Sequence, residues 1–299
     1  RNSLILLLTA TIWGMAFVSQ SKGMDYMHPF TFNGVRSLIG AAGILVYILI
    51  SRKIAGDKAA KLDWKLNVKA GLLCGIFLTI ASTLQQFGIK YTSVGKAGFI
   101  TTLYIIFVPM FGVFLKKKVA PVVWAAAGMA AVGMYLLCMT ESLRLGAGDI
   151  MVFLCAIAFA IQIMTVDHYA ARIDGAVVSC IQFTVCGVVC CIGALIWGQP
   201  TFGQIQEGLG ALLYAGVLSC GVGYTLQIVG QKGLNPTVAA LIMSLESVIA
   251  TISGWIAYKI GFLSTDQTLT PRQIAGCIIV FAAVILVQLP PEWFRFGKK

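Results

Sequence analysis

Long apolar runs separated by short polar connections dominate the hydrophobic pattern of this chain. Ten runs are long enough for a helix to cross the hydrocarbon core of a bilayer, which takes about 20 mainly apolar residues. Their approximate limits are residues 3–20, 29–50, 67–89, 97–115, 121–139, 149–171, 176–197, 209–230, 237–258 and 272–289. The pattern therefore predicts an all-α integral membrane protein with ten transmembrane helices.

The proline positions agree with this division. Pro29, Pro121, Pro236 and Pro271 stand at or just before predicted helix starts, where a missing backbone N–H does no harm. Pro109 lies inside a run, and we expect it to bend the fourth helix.

The second half of the chain repeats the first. The segment 225–232, TLQIVGQK, aligns without gaps on 83–90, TLQQFGIK, at an offset of 142 residues. The same offset places Glu246 on Tyr104. The first two runs match the sixth and seventh more weakly, at an offset of 146, which places Trp13 on Phe159.

Each copy contains five runs, and an odd number of spans means that the second copy enters the membrane in the opposite direction. We therefore predict two inverted five-helix repeats around a central cavity, a layout typical of transporters. The first repeat covers residues 1–140, and the second covers residues 141–299 with a short basic C-terminal tail.

Composition supports the membrane assignment. Hydrophobic residues make up 59% of the 299, only 11% are charged, and the mean hydropathy is +0.89, whereas a soluble domain carries about a quarter charged residues. The net charge of +11 would suit a nucleic-acid partner. The basic residues, however, lie in short loops between apolar runs, so we expect no nucleic-acid binding.

The basic residues also predict the orientation. Of the 22 Lys and Arg residues, 15 fall in connections on one side, Arg36 lies within a span, and six fall on the other side. The richer side is expected to be cytoplasmic. We therefore predict a multi-pass protein of the inner (cytoplasmic) membrane with both termini in the cytoplasm.

Cysteine and histidine give no sign of a metal site. All nine cysteines lie in apolar runs, and none has the C-x-x-C spacing of a zinc or redox site. The two histidines, His28 and His168, stand near predicted helix ends. We expect neither a metal nor a cofactor.

Several short motifs occur in the order found in one membrane protein family. They are Trp13-Gly14, Val35-Arg36, the stretch 98–109 (GFITTLYIIFVP), Ser244-Leu245-Glu246 and the stretch 269–276 (LTPRQIAG). In these motifs and in its two-copy layout the chain resembles the drug/metabolite transporter superfamily, in its EamA-type ten-helix branch. The resemblance covers essentially the whole chain. It implies two inverted five-helix halves around a central cavity, and transport of small metabolites such as amino acids or drugs, often as an exporter.

Two departures from related patterns matter. Small four-helix multidrug relatives place an essential glutamate in their first helix, where this chain has no acid, so their proton-for-drug cycle does not carry over. Many EamA-type chains have Pro after the glutamate of the ninth helix, whereas Ser247 stands here. We therefore expect the ninth helix to be straighter.

Glu246 is the sharpest candidate for a functional residue, because it lies near the middle of the ninth run. A charge there costs at least ~2.5 kcal/mol, so the carboxyl needs a partner, a water-filled cavity or a proton. It could carry a proton or bind a substrate ammonium group, or it could be a structural carboxyl bonded to a neighbouring helix. Ionisable groups inside membranes are usually functional, and we favour function.

Six further residues are candidates for substrate binding. Gln85, Gln227 and Gln162 carry amides that must bond either across helices or to a substrate, and both alternatives stay open. Tyr104, the counterpart of Glu246, could offer a hydroxyl and a ring. Trp13 and Phe17 lie one turn apart on the first helix, although such aromatics more often pack in the core or at the membrane interface.

Arg36 lies about 10 Å below the outer end of the second helix. We expect it to reach outward to the interface or to pair with a buried acceptor, in a structural role.

These observations favour a secondary transporter that works by alternating access, and the resemblance implies that it is an exporter. Proton coupling through Glu246 is one possible energy source. A channel or facilitator with inverted repeats is the main alternative. A membrane-embedded enzyme would need a cluster of acids or histidines at one depth, so we expect no enzymatic activity. The expected partners are a small molecule, for which we favour an amino acid, and membrane lipid, and a monomer is the simplest assembly.

Overall fold

The computed structural model describes residues 1–56, 62–92, 94–116, 119–138, 146–263 and 268–288. Regular structure within these residues is entirely helical. Eight spans are long and apolar enough to cross a membrane, and two shorter apolar helices, Pro121–Leu136 and Pro271–Leu286, stand at the positions of the fifth and tenth predicted spans. The predicted fold class, an all-α membrane protein with ten helical spans, is confirmed.

The spans are numbered along the chain. The first five consist of Asn2–Gly23, Pro29–Ala55, Trp64–Tyr91, the pair Val94–Thr102 and Tyr104–Phe114, and Pro121–Cys138. The sixth span is Ala147–Tyr169, and the seventh is Gly175–Gly193 followed by a π-helical turn, Ala194–Gly198. The eighth consists of Leu209–Leu213, the π-helical Tyr214–Gly223 and Tyr224–Gln231. The ninth is the pair Pro236–Met243 and Glu246–Lys259, and the tenth is Pro271–Gln288. A short helix, Phe202–Glu207, joins the seventh and eighth spans. The sequence pattern predicted neither this helix nor the π-helical turns.

The prolines begin helices as predicted. Pro29, Pro121, Pro236 and Pro271 are each the first residue of a helix. The residue before two of them supplies a side-chain cap. His28 Nδ1 accepts a hydrogen bond from the Phe30 N–H, and Asn235 Oδ1 accepts one from the Thr237 N–H at 2.9 Å, which satisfies backbone donors that would otherwise lack partners.

The main helix contacts between the two halves each have a counterpart at the corresponding helices of the other repeat. The first span packs against the eighth and ninth, and its counterpart, the sixth, packs against the third and fourth. The second span packs along the seventh, and the fifth along the tenth, so that each of these pairs joins two repeat counterparts. The boundary between the repeats near residue 140 lies outside the described residues and stays a prediction.

Matching glycines make two of these contacts close. A Cβ added to Gly88 would lie 2.9 Å from the Gly148 carbonyl oxygen and would also meet Val152. A Cβ added to Gly230, the repeat counterpart of Gly88, would lie 2.7 Å from Leu6 Cδ2. Since small residues let membrane helices approach, the two repeats use the same device at corresponding places.

The fourth and ninth spans are each interrupted near their middle. The fourth breaks at Leu103 and the ninth at Ser244 and Leu245, and Leu245 lies 142 residues after Leu103. Pro109 was expected to bend the fourth span, but it lies inside the helix Tyr104–Phe114 and the break precedes it. The ninth span, which was expected to be straighter because it lacks proline, is interrupted as well.

Hydroxyl groups explain the interruptions. Ser244 Oγ donates to the Leu241 carbonyl at 2.7 Å, and Ser247 Oγ donates to the Ser244 carbonyl at 2.8 Å. In the fourth span Thr102 Oγ1 donates to the Phe99 carbonyl at 2.9 Å. Such bonds compete with the helical pattern of the backbone, so serine can interrupt the ninth span without proline.

Candidate functional site

A small cavity lies between the two halves. Seven spans line it: the first, second, third, fourth, sixth, eighth and ninth. All seven predicted binding residues line it: Trp13, Phe17, Gln85, Tyr104, Gln162, Gln227 and Glu246. Its volume is about 30 Å³, which is room for one or two water molecules. The structure thus brings all the candidates together around one small site.

The lining follows the repeat. Ten of its residues form five pairs of repeat counterparts: Trp13 with Phe159, Ala16 with Gln162, Phe17 with Ile163, Gln85 with Gln227, and Tyr104 with Glu246. A cavity lined by corresponding residues of both halves lies on the axis that relates them. This is where inverted-repeat transporters hold their substrates.

Glu246 bonds directly to its repeat counterpart. The Tyr104 hydroxyl donates to Glu246 Oε1 at 3.0 Å, and both side chains are buried. Each residue is the first of the second half-helix of its span, just after the interruption. A helix N-terminus favours a carboxylate, so the break in the ninth span places the acid at a point that suits its negative charge.

The glutamines bond across helices and also face the cavity. Gln227 Nε2 donates to Gln162 Oε1 at 3.1 Å, and Gln162 Nε2 donates to Gln227 Oε1 at 3.5 Å. Gln85 Nε2 donates to Thr101 Oγ1 at 3.2 Å. The two interpretations of these amides are therefore compatible, because side chains that join helices also line the site.

Aromatic rings form one wall of the cavity. The Trp13 indole N–H donates to the Ser219 carbonyl at 3.4 Å, and its ring lies 4.5 Å from that of Tyr224. Tyr224 in turn meets the edge of Phe183 at 5.0 Å. Phe17, one turn from Trp13, is 2% exposed. Phe17 is thus buried and Trp13 half-buried, and both line the site.

Arg36 lines the same cavity, against expectation. Its side chain is 5% exposed, so it does not reach the interface. No carboxylate among the described residues pairs with it, and its buried Nε has no hydrogen-bond partner there. The guanidinium carbon lies 5.4 Å from the centre of the Phe32 ring.

Close packing of the second and eighth spans explains the position of Arg36. A Cβ added to Gly40 would lie 2.8 Å from the Gly216 carbonyl oxygen, and one added to Gly216 would lie 2.9 Å from the carbonyl oxygen of Arg36 itself. The eighth span, rather than lipid, therefore flanks Arg36. This turns a residue that we expected to be structural into part of the site.

Sequence reasoning missed some lining residues that helical spacing could have found. Tyr224 lies three residues before Gln227, and Gln20 lies three residues after Phe17, so each shares a helix face with a predicted site residue. Thr101 and Ser219 carry no comparable signal, because a small hydroxyl side chain in an apolar run more often bonds to its own helix.

The site is equipped for binding. It combines one carboxyl, one guanidinium, four amides, two phenol groups and several apolar rings. In the described part of the chain, no three His, Cys, Asp or Glu side chains come together, and the eight cysteines described there are free thiols.

Comparison with known proteins agrees with the fold. The family model described as the EamA-like transporter family matches the chain twice, over residues 2–139 and 146–289. An uncharacterized transporter of Archaeoglobus fulgidus is 28% identical over 290 residues, covering 95% of this chain and 84% of the relative. The uncharacterized transporter YwfM of Bacillus subtilis is 24% identical over 295 residues, covering 97% of this chain and 94% of the relative.

A protein of known crystal structure shares the fold. It superposes with a TM-score of 0.75 at 16% sequence identity, and the match covers 99% of both chains. The matches identify an integral membrane transporter and not an enzyme. Because the family model accounts for nearly all of both halves, the chain belongs to the EamA-like transporter family.

Proposed function

We propose that this protein is a secondary transporter that exports a small zwitterionic metabolite, in the class of amino acids, across the cytoplasmic membrane by alternating access. The observation that carries the proposal is a cavity on the axis between the repeats that holds both Glu246 and the unpaired Arg36. Charged groups inside a membrane protein mark substrate pathways more often than structural sites.

The acidic side chain of Glu246 and the basic side chain of Arg36 support a substrate that carries one positive and one negative group. A buried charge without a partner is costly, and a ligand that supplies the missing partner recovers part of that cost. The carboxylate of an amino acid can accept hydrogen bonds from the Arg36 guanidinium, which presents a planar set of donors. Its ammonium group can donate to Glu246 in exchange for the Tyr104 hydroxyl.

The remaining lining supports a small, partly apolar side chain. Trp13, Phe17 and Phe159 supply apolar surface, and the amides of Gln85 and Gln227 can accept or donate hydrogen bonds. A pocket with a few polar groups in an apolar wall is the usual form of a small-molecule site.

Alternating access follows from the inverted repeat. With a cavity of about 30 Å³, the site must enlarge before a metabolite enters. If the repeats exchange conformations, the cavity opens to one side and then to the other while the lining residues stay the same. Glu246 could also release and take up a proton in this cycle, so a proton gradient or the gradient of the substrate itself could drive export.

Counterflow in proteoliposomes tests the function. We expect vesicles loaded with an unlabelled amino acid to accumulate the labelled one transiently, with saturation, whereas the corresponding amine or acid, with one charge only, exchanges far more slowly. A channel would show neither saturation nor counterflow. Absence of exchange with every amino acid, together with exchange of singly charged compounds, would contradict the zwitterion proposal while leaving the transporter assignment intact.

A further inference from the structure

A large groove lies at the end of the molecule that the charge distribution assigns to the cytoplasm. It is bounded by the second, seventh and eighth spans and has a volume of about 460 Å³. It shares no lining residue with the central cavity. Its inner wall is apolar and includes the buried Ala170 and Ile228, whereas Arg52 and Lys232 lie at the helix ends that form its rim.

The corresponding place at the opposite end of the molecule is filled with rings. There the seventh, second and third spans meet in a cluster of His28, Phe30, Phe87 and Trp197. The Phe30 ring lies 5.1 Å from Phe87 and 5.6 Å from Trp197, and His28 lies 5.5 Å from Phe87.

The repeat relates the two places residue by residue. The groove positions that correspond to the four rings carry smaller side chains: Asp174 for His28, Ala176 for Phe30, Val229 for Phe87 and Ser51 for Trp197. Three exchanges run the other way, because Tyr47, Ile48 and Arg52 stand where the opposite end has Gly193, Ala194 and Gly198. Tyr47 is 61% exposed, so its ring does not fill the groove.

The groove therefore leaves open the space that the ring cluster fills at the opposite end, and an apolar group can occupy it. The acyl chains of the bilayer lie beside the groove. The rim adds charge complementarity. Arg52 and Lys232 lie at the level of a leaflet's headgroups, where basic residues attract anionic lipid. Asp174 also lines the groove, but its carboxylate caps the seventh span by accepting from the Ala176 and Val177 N–H groups at 3.0 and 3.1 Å.

We propose that this groove is a binding site for one anionic phospholipid. An acyl chain occupies the space beside Ala176 and Val229, and the phosphate of the headgroup lies between Arg52 and Lys232. This inference does not depend on the proposed transport function, because it rests on the groove and on its filled counterpart.

Native mass spectrometry of the purified full chain tests the site, with phosphatidylglycerol and phosphatidylcholine offered at equal concentration. We expect wild type to retain phosphatidylglycerol in preference. The double variant Ala176→Phe/Val229→Phe, which introduces the two phenylalanines of the opposite end, should lose this adduct. The matched variant Val188→Phe/Val189→Phe, on an exposed part of the seventh span, should keep it.

A second pair of variants tests whether a rim lysine contacts the lipid headgroup. These variants add no ring, so the test does not depend on whether the protein folds with two added phenylalanines. Lys232→Gln should lower the preference for phosphatidylglycerol by about fivefold, the effect of one basic residue near a charged leaflet. Lys90→Gln, the same change at the repeat counterpart beside the ring cluster, should leave it unchanged. Equal retention of the two lipids by wild type, an adduct that survives in the filled variant, or equal effects of the two lysine variants would overturn the proposal.

Discussion

The bond between Tyr104 and Glu246 joins the two repeats at the cavity that both residues line. They occupy the same position in the two repeats, yet only one of them carries a carboxyl group. The pair therefore breaks the symmetry of a cavity whose lining is otherwise largely made of counterparts. For the proposed zwitterion, an acid on one side of the axis would favour a single orientation in the site.

We predict that Glu246→Gln lowers counterflow at least tenfold and removes its dependence on pH. Glutamine keeps an acceptor for the Tyr104 hydroxyl, so the fold should survive, but the charged bond to the substrate, about 1.5–3 kcal/mol, is lost. The matched control is Glu207→Gln on the exposed short helix. Normal transport with an unchanged pH profile would show that the Glu246 carboxyl is structural.

Arg36 makes a separate prediction. Arg36→Gln should raise the half-saturating concentration of the zwitterion about tenfold, because a charged hydrogen bond is lost. Competition by the amine analogue, which has no carboxylate, should stay the same. Arg172→Gln, at an exposed position, serves as the control.

The thermal unfolding temperature distinguishes the two roles of Arg36. Since its charge is buried without a carboxylate partner, removing it should leave the unfolding temperature unchanged or raise it. A marked fall in that temperature, with unaltered substrate affinity, would support the structural role that the sequence favoured.

At the scale of elements, glycine contacts and interrupted helices shape the bundle. The first span meets the eighth, and the third meets the sixth, through corresponding glycines, while hydroxyl groups interrupt the fourth and ninth spans beside the site. Pro109 drew attention to the fourth span in the sequence. The interruption nevertheless falls at Leu103, because its position depends on local hydroxyl bonds and on packing against the neighbouring half.

We predict that Gly88→Ala destabilises the protein by about 1–3 kcal/mol, the usual cost of overpacking a tight interface. The added Cβ would meet Val152 and the Gly148 carbonyl oxygen. Gly43→Ala is the matched control, because a Cβ there meets nothing within 4 Å. Thermal unfolding in detergent, followed by tryptophan fluorescence, measures both. Equal unfolding temperatures would argue against close contact of the third and sixth spans.

On the scale of the whole molecule, the two ends differ although the repeats match. A ring cluster fills the crevice between spans at one end, and a groove remains at the other. The excess of basic residues predicts that the groove lies in the cytoplasmic leaflet, where anionic lipid is most abundant in many membranes. Orientation in the membrane therefore bears on the lipid site as well as on the direction of transport.

We predict that Lys259→Cys reacts with a membrane-impermeant maleimide in intact cells, whereas Lys53→Cys reacts only after the membrane is permeabilised. Both positions are exposed, and the excess of basic residues assigns position 53 to the cytoplasm. Wild type provides the background from the native cysteines. The opposite labelling pattern would invert the topology, and labelling of both in intact cells would contradict the span count.

The sequence by itself determined that this is a membrane protein with ten spans in two inverted copies, and it identified seven residues that line one cavity. Those features follow from apolar length, from the odd number of spans per copy and from the cost of polar groups in lipid. Glu246 and the glutamines were found because few polar side chains occur inside long apolar runs.

Only the tertiary structure decided where the spans break, that Arg36 faces the cavity, and that one end of the bundle has a groove where the other has rings. The physical reason is that lipid and the protein interior are both apolar. Hydropathy therefore does not say which face of a helix turns inward. That choice depends on how closely neighbouring spans approach, and glycines such as Gly40 and Gly216 exert their effect only once the helices are packed together.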